Sequence, residues 1–251
     1  MTEARLLLDA VLFDAGGTLV RLDYEWICAM LADLGLAVTT AELRRCEIRG
    51  RRMYDAQSSR PRAMKAGEAH PALGSVAPTN SYFAGMLEAA GCRHPVLEEA
   101  LTRLEQKRVP PSFLWAKANE GAREAIAGVL ALGLRAGCVS NSDGRAEAHL
   151  VECGVREGLE LVVDSQIEGI EKPDAGLFRI ALDRMGVAAE RALYVGDIRS
   201  VDEAGARAAG MQFTLIDPFG DYAGANTLAV ANIASLPAFV AEHFAVTKFV
   251  Q

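Results

Sequence analysis

Short β-type runs alternate with helical patterns along most of this chain, and that alternation restricts the fold more than any other feature. The runs fall at residues 8–14, 134–140, 159–164, 192–196 and 212–216. Between them, Ala122, Ile126, Val129 and Leu130 share one helical face and are followed by Gly133. Leu177, Phe178, Ala181, Leu182 and Met185 share another, followed by Gly186. An alanine-rich stretch at 204–209 ends on Gly210. Strands alternating with helices predict an α/β fold with a doubly wound, Rossmann-like parallel sheet.

One interval breaks the rhythm. Asp14 and Ser140 are 126 residues apart, far more than a crossover of roughly a dozen to thirty residues needs. This stretch has few β-type runs. It carries a capping box, Thr39 with Glu42 three residues on, and helical patterns at 25–34, 41–55, 79–90 and 95–107. Pro61, Pro71, Pro78 and Pro110-Pro111 mark breaks between them. The reading is an all-helical domain at 23–109, inserted into an α/β core formed by 1–22 and 110–251.

Charge and cysteine content exclude several function classes. The net charge is −7 in 251 residues, and the pI is about 5.2. That balance argues against a nucleic-acid partner, which would need a basic face. The one basic patch, Arg44, Arg45, Arg49, Arg51 and Arg52, reads as a solvated helix face. Five cysteines without a Cys-x-x-Cys pair predict neither a disulfide framework nor a zinc site, and Cys138 reads as a core residue. No run approaches the ~18 apolar residues of a membrane span, and no leader pattern stands at the N-terminus. The expectation is a cytoplasmic protein with no membrane partner. Nothing in the sequence speaks to oligomeric state.

Three polar residues occupy equivalent places. Asp14, Ser140 and Asp197 each stand at or just past the end of a β-type run. In an open α/β sheet the ligand site lies beyond the carboxyl ends of the strands, so the three are expected to form one site. Asp14 is followed by Ala15, then by Gly16 and Gly17, which let the backbone turn sharply near a ligand. A carboxylate there can be a nucleophile or a metal ligand.

These residues resemble the haloacid dehalogenase-like hydrolase superfamily. Four motifs occur in the family's order. They are Phe13-Asp14-Ala15-Gly16-Gly17-Thr18-Leu19; Ser140-Asn141; Lys172-Pro173-Asp174 with Phe178; and Gly196-Asp197 through Asp202, Gly205-Ala206 and Ala209-Gly210-Met211. The insertion after the first motif looks like the family's type-one cap. Only 32 residues separate Ser140 from Lys172, too few for the alternative cap.

The resemblance implies a set of roles. Asp14 would attack phosphorus and form an aspartyl-phosphate. Lys172 would neutralise the nucleophile and the transferring oxygens. Ser140 and Asn141 would hold the phosphoryl group, with Gly17 beside them. Asp14, the Gly16 carbonyl and Asp197 would bind Mg²⁺, with Asp202 as a neighbour or a further ligand. Thr18 would brace the loop. The substrate implied is a small phosphorylated metabolite.

One position departs from the pattern. Family phosphatases carry a second Asp two residues after the nucleophile, which protonates the leaving group and then activates water. Here that position is Gly16. Dehalogenases and phosphonoacetaldehyde hydrolases of the family also lack it, and the latter use a cap lysine, for which Lys65 is the candidate. Asp23, Glu25 and His70 are the candidates for a substitute acid. The alternatives are therefore a dehalogenase- or phosphonatase-type hydrolase, or a catalytically weak phosphate-binding or regulatory protein. Retention of Asp197 favours a metal site over the dehalogenase reading.

Overall fold

A computed structural model describes residues 5–58, 76–224 and 226–246. The chain divides into two compact units, one formed by 1–21 and 118–251, the other by 22–117. Among the described residues, no helix is long and apolar enough to cross a membrane.

The first unit is an α/β sandwich built on six parallel strands. In chain order they are β1 (Ala10–Phe13), β2 (Arg135–Ser140), β3 (Val162–Asp164), β4 (Ala192–Gly196), β5 (Gln212–Ile216) and β6 (Leu228–Val230). Their order across the sheet is β3-β2-β1-β4-β5-β6. The order reverses direction beside β1, which makes that strand's carboxyl end the expected ligand crevice. β1 is buried along its whole length, as a strand covered on both faces by helices must be. The helix Ala175–Met185 contributes Leu177, Phe178 and Ala181 to the core cluster that contains Leu12, Val139 and Tyr194.

The run at 8–14 is not one strand. Leu7–Leu8 pairs instead with Ala245–Val246, and the break falls at Asp9, whose N–H bonds to the Arg191 carbonyl at 2.8 Å. Asp9 also pairs with Arg191 through its side chain. A charged residue with its own partner ends one ladder and starts the next. β6 has no counterpart among the five expected runs. Three residues are too few to show an alternation.

Among the described residues the second unit holds four helices, α1 (Tyr24–Asp33), α2 (Thr40–Ser58), α3 (Val76–Ala89) and α4 (Val96–Arg108). The capping box forms: Thr39 N–H donates to Glu42 at 2.9 Å, and Glu42 N–H donates to Thr39 Oγ1 at 3.2 Å. Pro78 does not break the chain. It lies in the first turn of α3, where a missing N–H costs no helical hydrogen bond. Residues 110–117, expected in the α/β core, cluster with the helices. The Leu114 carbonyl accepts the Asp23 N–H at 2.9 Å, and the Trp115 ring lies 5.7 Å from that of Phe83.

The arginine patch also differs from expectation. Arg44, Arg45, Arg49 and Arg52 are exposed, but Arg51 is buried and pairs with buried Glu47 at 3.5 Å. Glu47 further accepts the hydroxyls of Tyr24 and Tyr82. One carboxylate therefore ties together residues from α1, α2 and α3. Pro61, Lys65, His70 and Pro71 lie outside the described residues.

Candidate active site

Register brings the site together. Phe13 pairs with Cys138 on one side and Val195 on the other, so β2, β1 and β4 end side by side. Asp14 follows Phe13, and its N–H still bonds to the Val195 carbonyl at 2.8 Å. Ser140 closes β2, and Asp197 follows the last residue of β4. Asp14, Ser140, Lys172, Asp197 and Asp202 are all buried, between 2% and 6% exposed.

Lys172 is the hub. Its Nζ donates to Asp14 Oδ1 at 2.5 Å, to Asp202 Oδ1 at 2.8 Å and to the Tyr194 hydroxyl at 2.9 Å. An ammonium has three protons, so all three are used. Burial pulls the lysine pKa down, but the Asp14 and Asp202 carboxylates more than offset this and hold it well above the usual value. Burial pushes the Asp14 carboxyl up to about 7 against the pull of Lys172, with Asp202 adding to the rise. Asn141 fixes the lysine's backbone. Its amide donates to the Lys172 carbonyl at 2.9 Å and accepts the Lys172 N–H at 2.8 Å. The Asn141 side chain thus anchors the loop that carries Lys172.

Asp202 is a buttress. Oδ2 accepts the N–H groups of Asp197 and Ile198 at 3.1 and 3.0 Å, while Oδ1 takes the Lys172 proton. Both oxygens are committed, which suits an organising role better than a metal ligand. It sits in a π-helical turn, Arg199–Glu203, a local form often found beside functional groups. Gly196 makes its approach possible, since a Cβ there would lie 2.5 Å from Asp202 Cγ.

Gly17 has φ +83°, and a Cβ on it would collide with the Asp197 carboxylate. Its N–H donates to the Val20 carbonyl at 2.7 Å. The absence of a Cβ at Gly17 leaves room for the Asp197 carboxylate. Gly16 does not share the left-handed conformation. The Thr18 hydroxyl, expected to brace the loop, is buried without a hydrogen-bond partner. Asn119 does that work instead. Its amide donates to the Thr18 carbonyl at 3.0 Å and the Gly17 carbonyl at 3.3 Å.

Asp14, Asp197 and Asp202 bring carboxylate oxygens within 4.8 Å of one another. Three buried carboxylates face one ammonium, so the group carries excess negative charge. Hard oxygen donors with that imbalance fit Mg²⁺, which uses few carboxylates and keeps several waters. The candidate substitute acids fare unevenly. Asp23 caps α1 by accepting the Trp26 N–H at 3.1 Å, and Glu25 lies exposed in that helix's first turn. Glu171, beside Lys172, is a half-buried carboxyl that burial pushes up to about 7.

Tyr194 went unrecognised in the sequence, where it reads as one more apolar residue of a buried strand. Its hydroxyl accepts from Lys172 and donates to the Val139 carbonyl at 2.8 Å. Tyr194→Phe leaves both partners buried and is expected to cost about 1–3 kcal/mol. Urea denaturation of the purified variant measures this, and an unchanged midpoint would show the hydroxyl to be dispensable.

The family model of the haloacid dehalogenase-like hydrolases matches residues 8–210. Haloacid dehalogenase-like hydrolase domain-containing protein 3 of Xenopus laevis is 39% identical over 98 residues, covering 39% of this chain and 40% of that protein. Phosphoserine phosphatase of Thermus thermophilus is 38% identical over 138 residues, 54% of this chain and 53% of the relative. The matches thus span about half or less of these relatives. The solved 2-haloacid dehalogenase of Pseudomonas syringae pv. Tomato shares the fold, with a TM-score of 0.53 and 23% identity over 94% of this chain and 99% of its own. The family match extends from the first strand of the α/β unit past the buttress Asp202, and the chain belongs to the haloacid dehalogenase-like hydrolases.

Proposed function

We propose that this chain is a Mg²⁺-dependent phosphatase that acts through an aspartyl-phosphate on Asp14, on a small phosphorylated metabolite. The observation that carries the reading is the charge count: three buried carboxylates around one ammonium, with Asp14 bonded directly to Lys172. Asp14, the Gly16 carbonyl and Asp197 would hold the ion. When bound, Mg²⁺ would offset phosphoryl charge and favour the ionised form of Asp14.

The remaining steps belong to the protein. Asp14 attacks phosphorus in line, forming an O–P bond as the ester oxygen leaves. Lys172 offsets charge on the nucleophile and the transferring oxygens. The Ser140 hydroxyl, whose contact with the Asn141 carbonyl is a long 3.4 Å, is free to turn to a phosphoryl oxygen, and the Asn141 N–H assists. Water then cleaves the acyl-phosphate. Phosphoserine phosphatase and phosphoglycolate phosphatase among the relatives support phosphate esters of small acids as the substrate class.

Gly16 favours a second reading, a dehalogenase- or phosphonatase-type hydrolase, because those reactions do without the missing carboxylate. A screen of phosphate esters and haloacids, with and without Mg²⁺, separates the two. Metal-dependent phosphate release that Asp14→Asn abolishes supports the phosphatase; halide release supports the other; tight phosphate binding without turnover points to a regulatory protein.

The two acidic residues of the fourth motif should respond differently. Asp197→Asn is expected to weaken Mg²⁺ binding at least 10-fold. Asp202→Asn should weaken it less and lower stability more, since both Asp202 oxygens already hold protein groups. Calorimetric titration with Mg²⁺ checks this, and equal losses of affinity would make Asp202 a ligand.

A further inference from the structure

We infer that Asn119 is a positioning residue that sets the nucleophile loop, and with it the Gly16 carbonyl; this rests on the phosphatase reading above. Asn119 lies two residues past Lys117, where the chain re-enters the α/β unit. Three of its contacts run to consecutive carbonyls of the loop. The side-chain amide donates to Gly17 and Thr18 at 3.3 and 3.0 Å, and the backbone N–H donates to Leu19 at 2.8 Å.

Within itself the loop is held by the Gly17 N–H, which donates to the Val20 carbonyl at 2.7 Å, and by the Ala15 carbonyl. The Ala15 carbonyl accepts the N–H groups of Thr18, Leu19 and Val20 at 3.3, 2.9 and 2.9 Å, which closes the loop on itself. The Thr18 hydroxyl contributes no bond. Asn119 is thus a cross-link from 101 and 102 residues away, with two donors on two carbonyls immediately after Gly16. If it is lost, the Gly17 and Thr18 carbonyls lose their partner outside the loop, and the peptides of residues 16–18 are held only by the bonds to the Ala15 and Val20 carbonyls.

Its other contacts separate this role from a merely structural one. Asn119 Oδ1 accepts the Glu120 N–H at 3.1 Å, and its carbonyl accepts the Ala122 N–H at 3.1 Å at the start of the helix Ala122–Ala131. Asn119→Asp keeps both. It also adds negative charge near a helix N-terminus, where charge of that sign is favourable. What it removes is the donor, setting a carboxylate against two carbonyl oxygens. Asn119→Ala removes the donor without the repulsion.

The test uses the full chain, with p-nitrophenyl phosphate for turnover and Mg²⁺ alone for binding. Asn119→Ala is expected to lower kcat about 10-fold with KM changed less than 3-fold, and to weaken Mg²⁺ binding. Asn119→Asp is expected to be worse than Asn119→Ala on both measures despite its closer shape. Hydrogen exchange at the amides of residues 17–20 gives a readout independent of catalysis, and it should quicken in both variants. Wild-type exchange at these amides in Asn119→Ala would overturn the inference, and so would Asn119→Asp matching or exceeding Asn119→Ala in kcat. A wild type without Mg²⁺-dependent turnover, but with quickened exchange in the variants, would sink the phosphatase reading and leave the loop-setting role standing.

Discussion

Lys172→Met is expected to abolish turnover and to destabilise the protein by about 3–5 kcal/mol, the range found when one partner of a buried ion pair is removed. Methionine matches the stem of the side chain but brings no charge. Asp14 and Asp202, each bonded to the lysine, would then face one another in a buried site. Urea denaturation in the presence of a chelator, with phosphate release in parallel assays, measures both effects. The sign of the pH dependence follows. Burial already raises the folded-state pKa of Asp14 above the unfolded value, and without the lysine the main opposition to that rise is gone, so the folded state binds more protons. The loss of stability should therefore shrink as pH falls from 8 to 5. A variant that is inactive yet as stable as wild type at pH 8 would show that Lys172 does not pay for the burial of its partners.

How far such a site can be read without coordinates depends on where each residue's partners lie. Asp14, Ser140 and Asp197 were legible because each ends a β-type run, and parallel strands end on one side of a sheet. Lys172 was legible only through the family resemblance, because a lysine before a proline has no local mark of burial. Tyr194 was hidden by its own strand: within five buried residues, its hydroxyl is invisible to pattern. Asn119 stands three residues before a helix, and nothing near it in the sequence points to a loop a hundred residues upstream. The two-sided grip of Asp202 on Lys172 and the Asp197 backbone has no trace in the sequence and emerges only from geometry. In the helical unit, Arg51 and its exposed neighbours share a composition but not an environment, and helical phase with respect to Glu47 decides which is buried.

Wild-type protein is expected to hydrolyse p-nitrophenyl phosphate roughly 10²–10⁴ times faster than an alkyl phosphate at saturating Mg²⁺, the range that general acid catalysis contributes. A nitrophenolate departs without a proton; an alkoxide requires one. Gly16 has no side chain to give it. Because Gly16 does not adopt the left-handed conformation, Gly16→Asp meets no backbone penalty of that kind, and it should raise turnover of the alkyl ester selectively. Steady-state rates for the two esters, in both proteins, provide the comparison. Equal wild-type rates would mean that another group supplies the proton. Glu171, pushed up to about 7 by burial, is then the first carboxyl to replace, by Glu171→Gln.

The saturated lysine has a consequence for affinity. A phosphoryl oxygen that arrives at Lys172 finds no vacant proton, because Asp14, Asp202 and Tyr194 already share all three. Capture of substrate is therefore a trade: one resident acceptor must let go for each new one admitted. The neutral tyrosine hydroxyl is electrostatically the easiest to dislodge, and it keeps the Val139 carbonyl as a partner afterwards. Binding at this centre draws only the difference between the old contact and the new, so inorganic phosphate should be held loosely for so buried a cation and released readily after each cycle.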